Sequence, residues 1–124
     1  MVGSHYEDRP GLEGFQERVI KIQIRNTERP RKACAVVLEQ HCPGIVLGGS
    51  GIGEAIAANK VRGIRAARCC TVEDATLSRQ HNDANVISLG GRMLDPELAK
   101  KMVDAFLATD FEGGRHVKRI ADLE

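Results

Sequence analysis

The stretch GIVLGGSGIGEAIAANK, residues 44–60, passes from a short apolar run through closely spaced glycines and one serine into a helix-like segment. A glycine turn between a strand and a helix aims backbone N–H groups and the positive helix end at one point, which favours a phosphate or a developing oxyanion. The spacing is not a Walker A motif, because no GK[ST] follows. Nor is it the dinucleotide fingerprint, because Gly49, Gly51 and Gly53 give GxGxG without the final interval. The plain alternative is a tight turn that holds nothing. Glu54 opens the helix, where the macrodipole stabilises a carboxylate. It is either a helix-start acid or, in a partly apolar pocket that raises its proton affinity, a general base.

Three further places carry reactive types. In SRQHNDAN, His81 stands just before a strand with Asn82 and Asp83 beside it. It is a structural histidine or a general acid–base group at a sheet edge. Arg92 follows NVISLGG, at a strand's carboxyl end. Arg115 and Arg119 lie one turn apart in RHVKRIADL, as a phosphate clamp or a solvated basic face. His5, His41, Lys60 and the cysteines read as structural. No metal set is visible, since no pair of His or Cys has ligand spacing within one helix or loop.

These groups need a scaffold, and the chain describes one. VIKIQIR, residues 19–25, alternates isoleucines with polar residues, a strand with one wet face at a sheet edge. Pro30 marks a helix start for RKACAVVLEQH. GIVLGG is a buried strand, EAIAANK a short helix and Gly63 its end. IRAARCC reads as a second buried strand. Thr71 with Asp74 resembles a capping box, and its helix is expected through about Arg79. NVISLGG is a third apolar strand. Asp95-Pro96-Glu97 starts a helix whose Leu98, Met102, Ala105 and Phe106 share a face, and RHVKRIADL is the last helix. Strands alternating with helices imply an α/β, three-layer fold, a parallel sheet of four to five strands with helices on both faces. Residues 1–18 are polar, lack periodicity and are expected to attach loosely.

At 124 residues the chain is expected to form one domain, 1–124, without an internal repeat. Lys and Arg total 18 against 17 Asp and Glu, which argues against a generic nucleic-acid binder. Aromatic residues are 3% with no Trp, which disfavours a base-stacking platform. Cys34, Cys42, Cys69 and Cys70 form no CxxC and read as reduced thiols. The start, MVGSHYEDRPG, has no apolar signal core, and no run approaches spanning length. A cytoplasmic protein with no membrane or nucleic-acid partner is expected.

Taken together, GGSGIGEAIAANKVRGIRAA, SRQHNDANVISLGGRM and FEGGRHVKRI resemble ribose-5-phosphate isomerase B and the related galactose-6-phosphate isomerase subunits. The three motifs stand in the right order between residue 44 and about residue 120. The resemblance implies a Rossmann-like homodimer or homotetramer that interconverts aldose and ketose phosphates with no metal or other cofactor. It implies that Gly49, Ser50, Gly51 and Gly53 donate N–H groups to a cis-enediolate, that His81 assists ring opening and that Asn82 binds the sugar. It implies that Arg92, Arg115 and Arg119 hold the phosphate, often across a dimer interface onto which the C-terminal helix packs. In many members the base is a cysteine just before the first loop glycine; here that position is Gly48. A second branch has Glu at the position of Glu54, within GGSGxGE, so both departures point to Glu54 as the base.

The front departs from the family. Members begin with a strand ending in a GSDHAG-like turn; this sequence offers Gly3, Ser4 and His5 without the Asp, and residues 1–30 do not follow the pattern. One account is that the first strand and helix are lost or replaced, so that the strand at 19–25 pairs directly with 45–47. Two readings stay open. One is an isomerase of a sugar phosphate, ribose 5-phosphate to ribulose 5-phosphate first. The other is a non-catalytic or hetero-oligomeric relative that binds a sugar phosphate without the Asp-His turn. A nucleotide-binding module is disfavoured by the loop spacing.

Overall fold

The computed structural model describes residues 20–23 and 28–124. The polar first segment, His5, and Val19, Ile24 and Arg25 of the alternating run lie outside the described residues. β1 (Ile20–Gln23), β2 (Gly44–Gly48), β3 (Ala66–Arg68) and β4 (Val86–Gly90) form one sheet in the order β1-β2-β4-β3. Every neighbouring pair is parallel. β1 lies at an edge and pairs directly with β2, Ile20 opposite Gly44 and Gln23 opposite Leu47, as the sequence led us to expect.

Helices α1 (Glu28–Gln40) and α2 (Ile52–Asn59) cover one face. Helices α3 (Val72–Asn82) and α4 (Pro96–Ala108) cover the other. The period-two alternation of the strands divides the core. Ile45, Leu47, Ile87 and Leu89 pack with Met102, Val103 and Phe106, while Val46 and Val86 pack with Ala33, Cys34, Val37 and Ala58. The chain steps from β2 past β4 to β3 and then returns to β4. Right-handed crossovers in opposite directions require helices on opposite faces. Helix α5 (His116–Leu123) packs against the end of α3, with His116 as its buried residue. Among the described residues no helix is long and apolar enough to cross a membrane.

Several boundaries differ from the sequence reading for local reasons. Helix α1 begins at Glu28, so Pro30 falls inside the first turn, where its missing N–H costs nothing. Helix α2 begins at Ile52, two residues before Glu54. The strand read from IRAARCC is only Ala66–Arg68, half-buried at the sheet's other edge. The Asn59 carboxamide closes that edge, donating to the Ala66 carbonyl at 2.9 Å and accepting from its N–H at 2.8 Å. Thr71 caps α3, its hydroxyl accepting from the Asp74 N–H at 3.0 Å. That helix continues past Arg79 to Asn82 and ends at Asp83 in the left-handed region, φ 45°. Arg79 seals the end, donating to Asp83 Oδ1 at 2.8 Å and to the Ala84 carbonyl at 2.6 Å.

One buried polar contact ties the glycine turn to the sheet. Ser88, fully buried on β4, donates its hydroxyl to the Gly51 carbonyl at 2.6 Å. Ser88→Ala removes the donor and leaves that carbonyl with less compensation in a dry place. We expect a loss of about 1–3 kcal/mol in stability, read as a lower denaturant midpoint at unchanged slope.

Candidate active site

At the carboxyl end of β2 the turn Gly48–Gly51 folds over β4. The carbonyls of Gly48 and Gly49 accept from the N–H groups of Gly91 and Arg92, at 2.6 and 3.1 Å. The Ser50 hydroxyl accepts from the Ile52 N–H at 3.2 Å. Gly51 has φ 77°, and a Cβ there would come within 2.9 Å of the Leu89 backbone, so only glycine lets the turn lie this close. With the carbonyls so engaged, the N–H groups of Gly49, Ser50, Gly51 and Gly53 have no acceptor among the described residues. They form a cradle of donors at a helix start, the arrangement that holds an anion.

Glu54 reaches back over this turn. A Cβ built on Gly48 would land inside its carboxylate, so the acid occupies the space that a side chain at position 48 would fill. Glu54 is half-buried and no ion pair holds it among the described residues. Arg92 lies against the same turn, with its guanidinium carbon 3.2 Å from where a Cβ of Gly49 would stand. Two residues missed from the sequence support the turn: Ser88 from beneath, and Arg68, whose Nε donates to the Ser50 carbonyl at 3.0 Å. Arg68 stands at a strand's carboxyl end, the same signal that singled out Arg92.

The other predicted groups lie elsewhere. Helix α3 runs antiparallel to the strands, so His81 and Asn82 at its end stand beside the amino end of β4. Arg115, immediately before α5, and Arg119 on it lie at that same end, both exposed. There the Asn82 carbonyl accepts from Arg65 Nε at 2.9 Å, and the Arg65 guanidinium pairs with Glu124 at 2.9 Å. The five residues of β4 span about 16 Å at the usual rise, so one chain keeps Glu54 and Arg92 apart from His81, Arg115 and Arg119. The structure brings the predicted residues into two clusters, one at each end of the sheet.

The second cluster has members the sequence did not suggest. The rings of His81 and His116 are stacked, centroids 4.4 Å apart and planes 14° from parallel. Glu112 Oε1 lies 3.8 Å from His81 Nε2 and 3.6 Å from His116 Nε2. Burial chiefly, then His81 and Arg115, hold His116 below the ordinary histidine range. His81, Glu112 and His116 are the one set among the described residues whose donor atoms could meet on a metal ion. They come from two helices and a loop, which is why spacing within one element did not show them. As placed, the nearly parallel rings send their lone pairs side by side and not toward one point. The thiols have no part in either cluster; burial pushes Cys34 up to about 11 and Cys69 up to about 12.

Comparison with known proteins gives this geometry a context. A family model described as Ribose/Galactose Isomerase matches residues 28–123. Ribose-5-phosphate isomerase B of Escherichia coli strain K12 is 53% identical over 77 residues, covering 62% of this chain and 52% of that protein. D-erythrulose-4-phosphate isomerase of Pectobacterium atrosepticum is 48% identical over 84 residues, covering 68% of this chain and 55% of that one. The chain therefore spans about half the length of these relatives. A ribose 5-phosphate isomerase structure from Thermotoga maritima superposes with a TM-score of 0.78 at 44% identity, covering 81% of this chain and 70% of the other. The glycine cradle, the acid laid over it and a match across the whole described core from Glu28 onward lead to one conclusion: the chain belongs to the Ribose/Galactose Isomerase family.

Proposed function

We propose that this protein interconverts an aldose phosphate and a ketose phosphate, ribose 5-phosphate and ribulose 5-phosphate first among them, with Glu54 as the base. The observation that carries this reading is the Glu54 carboxylate lying over Gly48 at the edge of a cradle of free N–H donors. His81 takes the anomeric hydroxyl proton and returns it to the ring oxygen as the C1–O bond breaks. Glu54 then removes the C2 proton, and the electron pair moves into the C1 carbonyl. The resulting oxyanion is held by the N–H groups of Gly49, Ser50, Gly51 and Gly53, donors placed where charge develops. The O2 proton moves to O1, Glu54 delivers its proton to C1, and the ketose forms. Asn82 binds a sugar hydroxyl, and no cofactor takes part.

The sites are assembled between copies, as a homodimer or homotetramer. A pentose phosphate is shorter than the separation of the two clusters, so the cradle of one copy works with His81, Asn82, Arg115 and Arg119 of another. Closed symmetry makes each such pairing occur twice in a dimer. Arg92, beside the cradle, and Arg115 and Arg119 from the facing copy hold the phosphate. The exposed Val117 and Leu123 of α5 give that helix an apolar surface for the facing copy. We take 1–124 as one catalytic domain acting in the cytoplasm. The direct test is incubation of the purified chain with ribose 5-phosphate while following ribulose 5-phosphate; a chain that binds the sugar phosphate without turning it over would leave only the binding role.

The fit between positions 48 and 54 is itself testable. In Gly48→Ala the new methyl must displace the Glu54 carboxylate, because a Cβ there overlaps it. Displacing a reacting group by about 1 Å costs on the order of 100-fold in rate, so kcat should fall by about that much with KM little changed. Unchanged kcat in Gly48→Ala would show that Glu54 works from another position.

A further inference from the structure

His116 is the one buried side chain of α5, and the proposed mechanism gives it no task. It is 4% exposed, its ring lies flat on His81, and one oxygen of Glu112 stands within ion-pair reach of both imidazoles, 3.8 Å from His81 and 3.6 Å from His116. The loop that carries Glu112 is fixed to α3, since the Glu112 N–H donates to the Gln80 carbonyl at 3.1 Å, one residue before His81. We infer that Glu112 and His116 are positioning residues for His81, presenting its imidazole to the sugar in one orientation and one tautomer. The inference rests on the reading of His81 as the ring-opening group.

The chemistry follows from the placement. Nε2 of His81 lies 3.8 Å from Glu112 Oε1, beyond hydrogen-bond length, so the carboxylate acts on the ring through its charge, drawing the proton-bearing nitrogen to its side and leaving Nδ1 to accept the anomeric proton. When His81 becomes charged, Glu112 stabilises the imidazolium, as an orienting carboxylate does in other histidine-based sites. His116 supplies a flat wall that stops the ring from turning. The groups facing this pair are His81 on α3, Glu112 on the loop, Arg115 at the cap of α5 and Arg119 on it; all but Glu112 disfavour a charge on His116. A neutral His116 leaves the Glu112 charge to His81. A charged one would compete for the same oxygen and repel its neighbour.

Ring opening can be separated from proton transfer because ribulose 5-phosphate has no free C5 hydroxyl and stays open-chain. Its C1 proton exchange with deuterated water needs Glu54 and the cradle, not His81. The experiment compares turnover of ribose 5-phosphate with that exchange, followed by NMR, in Glu112→Gln, His116→Ala and His116→Phe. Loss of an orienting partner is worth on the order of 10- to 100-fold, so kcat for ribose 5-phosphate should fall by that factor in Glu112→Gln and His116→Ala. Exchange should stay near the unmodified rate, and His116→Phe should recover most of the loss by restoring a flat wall. Equal loss of turnover and exchange would assign these residues to general structure and overturn the proposal. So would full turnover in both Glu112→Gln and His116→Ala, or a Phe variant no better than Ala. Absence of exchange in the unmodified chain would overturn the isomerase reading itself, and this inference with it.

Discussion

Glu54→Gln is expected to lower kcat for ribose 5-phosphate by two to four orders of magnitude, the usual worth of a general base, with KM nearly unchanged. The amide keeps the shape and the polar edge of the carboxylate. It therefore fills the same space over Gly48 and leaves the cradle of N–H donors as it is. What disappears is the ability to take a proton from C2, a step in which the carboxylate binds no more tightly to substrate than an amide does. Exchange of the ribulose 5-phosphate C1 proton should vanish with turnover, since both pass through the enediolate. Thiol alkylation gives the contrasting result. Cys34 and Cys69 are buried with their thiols held in the protonated form, so iodoacetamide at neutral pH should spare them, and labelling of the other two should leave activity largely intact. An active Glu54→Gln variant, or inactivation that tracks thiol labelling, would remove Glu54 from the mechanism.

The half of the candidate site that contains Glu54 was legible from residue types because its structure is local. A strand, a glycine turn and a helix start are contiguous, so spacing alone said where the donors point. The Thr71–Asp74 cap was legible for the same reason. The second half was only partly so. His81 could be seen to precede a strand, and in a parallel sheet that places it at the end opposite to the glycine turn. His116 could not be singled out. It stands between Arg115 and Val117 in an eight-residue helix that reads as a basic solvated face, and its burial comes from contact with α3, which no periodicity within α5 records. The short β3 was misjudged for a related reason. Its apolar letters suggest a buried strand, while its place at the sheet's edge is set by partners distant in sequence, β4 on one side and the Asn59 carboxamide on the other.

The separation of the two halves leads to the largest effect that a mixture can show. In the proposed shared site, Glu54→Gln removes the base from the cradle end and Arg115→Ala removes a phosphate-holding arginine from the other, and each homo-oligomer should be nearly inactive. Arg115 is exposed at the start of α5 and makes no ion pair among the described residues, so its truncation should leave the fold intact. If one copy's cradle works with another copy's Arg115, a hybrid dimer contains one doubly altered site and one unaltered site. Random exchange at equal concentration makes half of the dimers hybrids, each with one working site of two. Activity should then rise to about a quarter of that of the unmodified protein. If both groups came from the same copy, each copy would carry one lesion and no mixture could restore a site. The outcome therefore depends on geometry alone and not on how severe either substitution is. Mass spectrometry of differently tagged copies should establish exchange in the same sample. Exchange without recovered activity would mean that the two ends of the sheet serve different purposes and that the shared site is wrong.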